Sequence, residues 1–148
     1  MRKIFDNNIV EHHCSFELCV LLKEKGFDVT TKDWYQNNGQ ILVQSGINGV
    51  RQFFKNTRDN CGGLYTSAPT HSVVIEWIKI NFGIWIWVAS RTDYFSETKH
   101  ETLFIAHGRK IPDNIVNGFV KDLILYTPKK TSFDATEYGI TYVLTNLI

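Results

Sequence analysis

Apolar residues recur at helical spacing in three parts of the chain. Between Ser15 and Gly26 they fall three and four residues apart, and these two residues are suited to begin and end a helix. A second helix is predicted after Pro69, which suits a first helical turn, with an apolar face of Val73, Val74, Trp77 and Ile78. A third is predicted from a cap at Asp134, with these residues facing inwards: Tyr138, Thr141, Tyr142 and Leu144.

Other segments favour extended structure. Residues 41–43 follow an Asn-Asn-Gly turn at 37–39, a combination typical of hairpins. Residues 84–89 are β-branched and aromatic almost throughout and predict a strand, for which residues 102–106 are the expected antiparallel partner. Residues 47–55 suit a short helix with Asn48 as its cap. Residues 115–125 fit a helix or a pair of strands, and we expect a helix.

Together these elements predict an α+β fold with one antiparallel sheet and three or four helices packed mainly on one of its faces. The length of 148 residues is typical of a single domain. The polar and glycine-rich breaks contain no proline-rich linker, so we interpret them as loops within one domain, residues 1–148.

Charge and cysteine content narrow the functional classes. The net charge of +1, from 16 basic and 15 acidic residues, disfavours a nucleic-acid partner, although it does not exclude one. Three cysteines without paired spacing argue against a disulfide framework and favour a reducing compartment. Residues 1–6 lack the apolar run of a signal peptide, and residues 84–89 are far shorter than the ~20 that a membrane helix needs. We therefore expect a cytoplasmic protein with no membrane partner.

The strand over residues 84–89 carries the candidate binding site. Its aliphatic residues alternate with Trp85 and Trp87, so the two indoles share one side. If the helices cover the aliphatic side, both indoles face away from them, with Arg91 on the same side and Tyr94 just beyond. We predict that these four residues bind a partner. The alternative is that another part of the chain covers this side and both indoles are core residues.

Candidate chemistry elsewhere is weaker. His12, His13 and Cys14 follow one another in the chain, and adjacent side chains of an extended segment point to opposite faces. A distant Cys61 or His71 would therefore have to complete a metal site. Cys61 lies beside two glycines, with His71 and His107 available as bases. Gly62-Gly63 matches neither a P-loop nor a dinucleotide-binding motif. We expect no metal site, no cofactor and no catalytic residue.

Six segments of the chain together carry a resemblance to known proteins: Ser15-Phe16-Glu17-Leu18, Leu22 to Asp28, Tyr65 to Thr70, Glu76-Trp77-Ile78, Asn81 to Ile84 and the final helix from Asp134. They resemble segments of a group of small uncharacterised proteins of phages and prophages of gut anaerobic bacteria. About half of the chain takes part, and residues 95–128 match nothing. The resemblance implies an accessory protein of a phage or mobile element in the cytoplasm of a bacterial host, and it carries over no activity.

Three hypotheses follow, and a binding role is favoured over catalysis. The first is a non-enzymatic binding protein that occupies a host protein or sequesters a small, nucleotide-like aromatic ligand. The second is a nucleic-acid accessory protein that stacks bases on Trp85, Trp87 and Tyr94, with Arg91, Arg109 and Lys110 at phosphates. The third is a small enzyme that depends on Cys61 or a histidine. A virion component and a regulatory protein are equally compatible with the first hypothesis, and the oligomeric state stays open.

Overall fold

The computed structural model describes residues 12–43, 53–59, 61–92, 102–110 and 122–148. Within them the chain forms four helices and two three-stranded antiparallel sheets, which confirms the predicted α+β class but divides the strands between two sheets. A 3₁₀ turn lies at Cys61–Gly63. The elements, in chain order, are α1 (Phe16–Glu24), β1 (Asp33–Gln36), β2 (Ile41–Val43), α2 (Asn56–Asp59), β3 (Tyr65–Ser67), α3 (His71–Phe82), β4 (Ile84–Thr92), β5 (Thr102–Lys110), β6 (Asp122–Lys129) and α4 (Ser132–Asn146).

The first helix and the β1–β2 hairpin follow the sequence prediction, whereas β3 was not predicted. Ser15 is the N-cap of α1, and its Oγ accepts the backbone N–H of Leu18 at 3.3 Å. Gly26 follows the helix with φ +84°, a conformation that costs a glycine little. Strands β1 and β2 then form the predicted hairpin, and β3 pairs with the other edge of β1 to give the order β2-β1-β3.

Helix α3 leads into the second sheet through a single residue. Gly83 has φ +65°, and its N–H bonds to the carbonyl of Lys79, so the chain leaves the helix and enters β4 at once. The predicted position of Pro69, in the first turn of this helix, was wrong. Thr70 is the N-cap, and Pro69 therefore precedes the helix instead of lying in its first turn.

The second sheet has the order β4-β5-β6, and α4 packs across all three strands. Ile84 and Ile86 point to this inner side and are 1% and 6% exposed. Opposite Ile86 stands Gly108, and Ala106 is fully buried nearby, so small residues of β5 leave room for the helix. The helix contributes its own buried face of Ala135, Gly139, Ile140, Val143 and Leu144.

Three sequence predictions were wrong in this half of the chain. Residues 122–129 form a strand, although a helix was expected up to residue 125. The N-cap of α4 is Thr131, whose Oγ1 accepts the N–H of Asp134, so Asp134 lies inside the first turn. Thr141 is exposed, and Tyr138 and Tyr142 are half-buried, because the inward stripe of α4 is carried by small and aliphatic residues. The helix expected over residues 47–55 lies mostly outside the described residues.

One hydrophobic core joins α1, β1, α3, β4 and α4. Its fully buried larger side chains include Leu22, Phe27, Ile78, Ile140 and Leu144. Helix α1 contacts both α4 and β3, which brings the segment before α1 close to the start of α3. In the described part of the chain, no helix combines the length and the apolar character that crossing a membrane requires.

Candidate binding surface

Strand β4 has one buried and one exposed side. Trp85 and Trp87 are 44% and 37% exposed, whereas Ile84 and Ile86, which alternate with them, are buried beneath the helices. Both indoles therefore lie on the outer side of the second sheet, away from α4. Large aromatic side chains in such a position retain apolar surface that solvent does not favour, and they are frequent anchors of interfaces.

The neighbouring strand β5 supplies two further members of this surface. Arg109 is the cross-strand partner of Trp85, and His107 is the partner of Trp87, so all four side chains point to the same side. The His107 ring stacks on Trp87 with centroids 5.3 Å apart and an angle of 9° between the planes. The Arg109 guanidinium carbon lies 5.7 Å from the centroid of Trp87.

Helix α3 places a second cation on the surface. Because Gly83 reverses the chain directly after the helix, the last turn of α3 lies beside the start of β4. Lys79 Nζ is 4.5 Å from the centroid of Trp85, and it also bonds to the carboxylate of Glu76 at 3.2 Å. We call the set Lys79, Trp85, Trp87, His107 and Arg109 the tryptophan face.

The structure does not place every other predicted residue on this face. The backbone of Arg91 belongs to β4, but its side chain and the whole of Tyr94 lie outside the described residues, so their roles stay predictions. Lys110 pairs with Ile84 and therefore belongs to the opposite side of the sheet from Arg109. Ile105 shares the outer side but is only 7% exposed, so the exposed tract ends beside the Trp87–His107 pair.

A second cluster contains Cys14, which the sequence indicated only as one member of the segment His12-His13-Cys14. The thiol of Cys14, a ring nitrogen of His71 and a carboxylate oxygen of Glu137 all lie within 4.8 Å of one another. His71 Nε2 is 2.5 Å from Glu137 Oε1, and the same carboxylate accepts the backbone N–H of Ser15 at 3.0 Å and its hydroxyl at 2.6 Å. A hydrogen bond with Cys19 and then burial raise the pKa of the Cys14 thiol above its ordinary value.

The two histidines next to Cys14 do not join this cluster. His13 instead pairs with Asp33, with 2.7 Å between Nε2 and Oδ2. His12 is exposed and rests edge-on against Phe133, at 5.6 Å between ring centroids. The adjacent triplet in the sequence is thus divided among three different environments, as expected for an extended segment.

Cys61 lies in a cleft of about 390 Å³ at the first sheet. The cleft is lined by Trp34, Phe53, Phe54, Arg58, Asp59, Cys61 and Tyr65. Cys61 is exposed and has φ +45°, in the left-handed region that few non-glycine residues adopt. No histidine is among the described residues that line the cleft, and the two histidines named as possible bases contact other groups: His71 contacts Glu137, and His107 stacks on Trp87.

Comparison with known proteins adds no relative. No protein-family model, curated protein or solved structure matches this chain. The resemblance to phage and prophage proteins therefore stays a prediction.

Sequence reasoning missed how the two clusters assemble. Lys79 reaches Trp85 only because Gly83 reverses the chain, and a glycine after a helix does not reveal which way the strand departs. No sequence motif indicates a role for Glu137. Ser15 and Glu137 are 122 residues apart in the chain, and no local pattern connects them.

Proposed function

We propose that this chain is a non-enzymatic binding protein of a phage or mobile element that holds a nucleotide-like ligand on its tryptophan face. The observation that carries the proposal is the exposure of Trp85 and Trp87 on one side of a strand, each with a cation against its ring. Exposed aromatic rings combined with cations are the elements with which proteins bind nucleobases and phosphates without reading a sequence.

The spacing of the two indoles suits stacked ligands. Residues two apart in an antiparallel strand are separated by about 6.8 Å along the strand, so Trp85 and Trp87 present two successive aromatic contacts. A base that stacks on an indole contributes about 1–3 kcal/mol. The aromatic content of the ligand therefore determines most of the affinity in this proposal.

The cations beside the indoles can rearrange when such a ligand binds. An exposed cation–π contact contributes only about 0.5–1 kcal/mol, which is less than base stacking contributes. A base can therefore displace the end of Lys79 from Trp85, and the flexible side chain can then meet a phosphate. Because Glu76 also contacts Lys79, the positive charge of this surface is modest. Few phosphate contacts are expected.

Two sources supply this ligand chemistry, a free nucleotide and a single-stranded nucleic acid. If Lys79 and Arg109 each meet one phosphate of a single strand, log K should fall with log salt at a slope of roughly −1.4, from 0.7 per contact. A strongly basic nucleic-acid protein shows a much steeper dependence. The net charge of +1 agrees with this modest electrostatic contribution.

The test is a titration of the whole chain with nucleoside triphosphates and with a short oligothymidylate, followed by calorimetry at several salt concentrations. We expect binding by at least one of the two ligand types, and a loss of at least about tenfold in the double variant Trp85→Ala, Trp87→Ala. Leu64→Ala is the matched control, because Leu64 is 55% exposed and lies outside the tryptophan face. Its affinity should equal that of the unmodified chain.

The absence of binding by both ligand types would refute the proposal, as would equal affinity in the double variant. In that event a pull-down from host lysate tests the other predicted partner, a host protein. A protein captured by the unmodified chain but not by the double variant would assign the tryptophan face to a protein interface instead. A salt slope near zero would exclude phosphate contacts by Lys79 and Arg109.

A further inference from the structure

We propose that Cys14, His71 and Glu137 bind one zinc ion. Their ligand atoms lie within 4.8 Å of one another and come from three separate parts of the fold. Cys14 belongs to the segment before α1, His71 begins α3, and Glu137 lies in the second turn of α4. This proposal replaces the expectation from the sequence that the chain has no metal site.

The donor set selects the class of metal. A thiolate and an imidazole are typical ligands of zinc, and a carboxylate commonly completes its coordination. Magnesium and calcium prefer sites made of oxygen ligands alone. Three protein ligands leave the fourth tetrahedral position of the ion for a water molecule. The side chains of His71 and Glu137 are 12% and 15% exposed, so the ion and its water can reach the site from solvent.

The ligand atoms must move by about 1 Å relative to one another to bind zinc. Around a tetrahedral zinc ion the ligand atoms are separated by about 3.4–3.6 Å, given bonds of about 2.0–2.3 Å. His71 Nε2 and Glu137 Oε1 now share a hydrogen bond of 2.5 Å, so they must move apart by about 0.9 Å as the ion replaces the shared proton. The distances from Cys14 Sγ to the other two ligand atoms are at most 4.8 Å and must shorten by at most about 1.2 Å.

The surroundings of the three ligands hold them in place. Ser15 donates its N–H and its hydroxyl to the Glu137 carboxylate, which fixes the orientation of that group. The carbonyl of Cys14 accepts the Tyr35 hydroxyl at 2.7 Å, and the Cys14 N–H bonds to the Pro69 carbonyl at 2.9 Å. Hydrogen bonds of this kind to ligating residues commonly change metal affinity by about 10–100-fold.

A buried hydrogen-bond network without a metal is the competing explanation. The two differ in what they predict for the thiol, because a zinc site requires the Cys14 sulfur as a ligand. The network alone leaves Cys14 as a small buried side chain, and Cys14→Ala would then leave metal affinity unchanged. The experiment is therefore built around the sulfur.

The full-length chain, treated with a chelator and then freed of it, is titrated with zinc against a coloured competing chelator, and separately with cobalt(II). We expect one ion per chain and, with cobalt, the near-ultraviolet charge-transfer absorption of a thiolate–metal bond. Cys14→Ala should weaken zinc binding by at least about 100-fold, and Ser15→Ala by about 10–100-fold. Cys61→Ser is the matched control, because Cys61 is an exposed thiol that lines the cleft at the first sheet and does not belong to the cluster. This variant should bind zinc as the unmodified chain does.

Three results would overturn the proposal. The first is no zinc binding that competes with the chelator. The second is equal affinity in a Cys14→Ala variant whose circular dichroism is unchanged. The third is loss of binding in the double variant His12→Ala, His13→Ala, which would assign the metal to the adjacent histidines instead. If Cys14→Ala does not fold, the cobalt spectrum of the unmodified chain decides, because a bound ion without thiolate absorption excludes Cys14 as a ligand.

Discussion

Neighbouring substitutions on strand β4 should have very different effects on stability. Trp85→Gln places an amide on the outer side of the sheet, where the present side chain is 44% exposed. Ile86→Gln places the same amide under α4, where the present side chain is 6% exposed. Both substitutions introduce glutamine, at adjacent positions of one strand, so the strand propensity of glutamine affects both variants. The difference in stability between the variants therefore reports which side of the sheet each residue faces.

The expected magnitudes follow from burial. Burying an isoleucine contributes about 1.5–3 kcal/mol, and an amide buried without a partner costs about 1–3 kcal/mol more, so Ile86→Gln should lower the free energy of unfolding by roughly 3–6 kcal/mol. Truncation of a core aromatic costs about 3–5 kcal/mol. Trp85 is little more than half buried, and its replacement amide reaches water, so we expect a loss of about 2 kcal/mol.

Urea denaturation followed by far-ultraviolet circular dichroism measures both values without depending on the indole that is removed. The expected difference between the two losses is about 1–4 kcal/mol, with Ile86→Gln the more destabilising change. If Ile86→Gln does not fold, Trp85→Gln must still fold cooperatively. Equal losses in the two variants would mean that Trp85 packs beneath another part of the chain, and the proposed tryptophan face would then not exist.

Three further predictions concern the frame that supports the two clusters. Asn56 is 4% exposed, donates to the Phe27 carbonyl and accepts the Ser67 N–H. Asn56→Ala should therefore lower the free energy of unfolding, measured by urea denaturation, by roughly 2–4 kcal/mol. A loss below about 1 kcal/mol would contradict this role. Thr131→Ala removes the N-cap of α4 and should cost about 1 kcal/mol, measured in the same way, whereas no loss would show that the cap is dispensable. Burial, followed by the nearby Cys19, Cys14 and Glu137 groups, raises the pKa of Tyr35 to about 12 from 10.0. Because the pKa of Tyr35 is higher in the folded chain than in the unfolded chain, the neutral hydroxyl contributes to the free energy of unfolding. This contribution is fully present below pH 10 and is lost as the pH rises to about 12. It amounts to about 2 kcal/mol at most after solvent screening, and Tyr35→Phe should flatten that part of a stability–pH curve.

The elements that the sequence predicted well are those whose signals are local. Ser15 and Gly26 are both placed as their residue types require at the ends of α1. Alternation in residues 84–89 separated a buried side from an exposed one because the period of a strand is two residues. Neither inference needed a distant part of the chain.

Where distant contacts decide the outcome, the sequence was insufficient. Residues 123–126 are a short apolar run that fits a helix or a strand, and pairing with β5 determines which forms. Pro128 fits there because β6 is an edge strand of the sheet that is described. The cluster of Cys14, His71 and Glu137 likewise depends on how α1, α3 and α4 pack, which no spacing in the chain encodes.

The accessibility of the two indoles on β4 can be measured directly by quenching tryptophan fluorescence with iodide. The chain contains four tryptophans, of which Trp34 and Trp77 are half-buried. The unmodified chain should contain an easily quenched, red-shifted component that is missing from the double variant Trp85→Phe, Trp87→Phe. Identical quenching and identical emission maxima in the two proteins would contradict the exposure of Trp85 and Trp87 on which the proposed binding function depends.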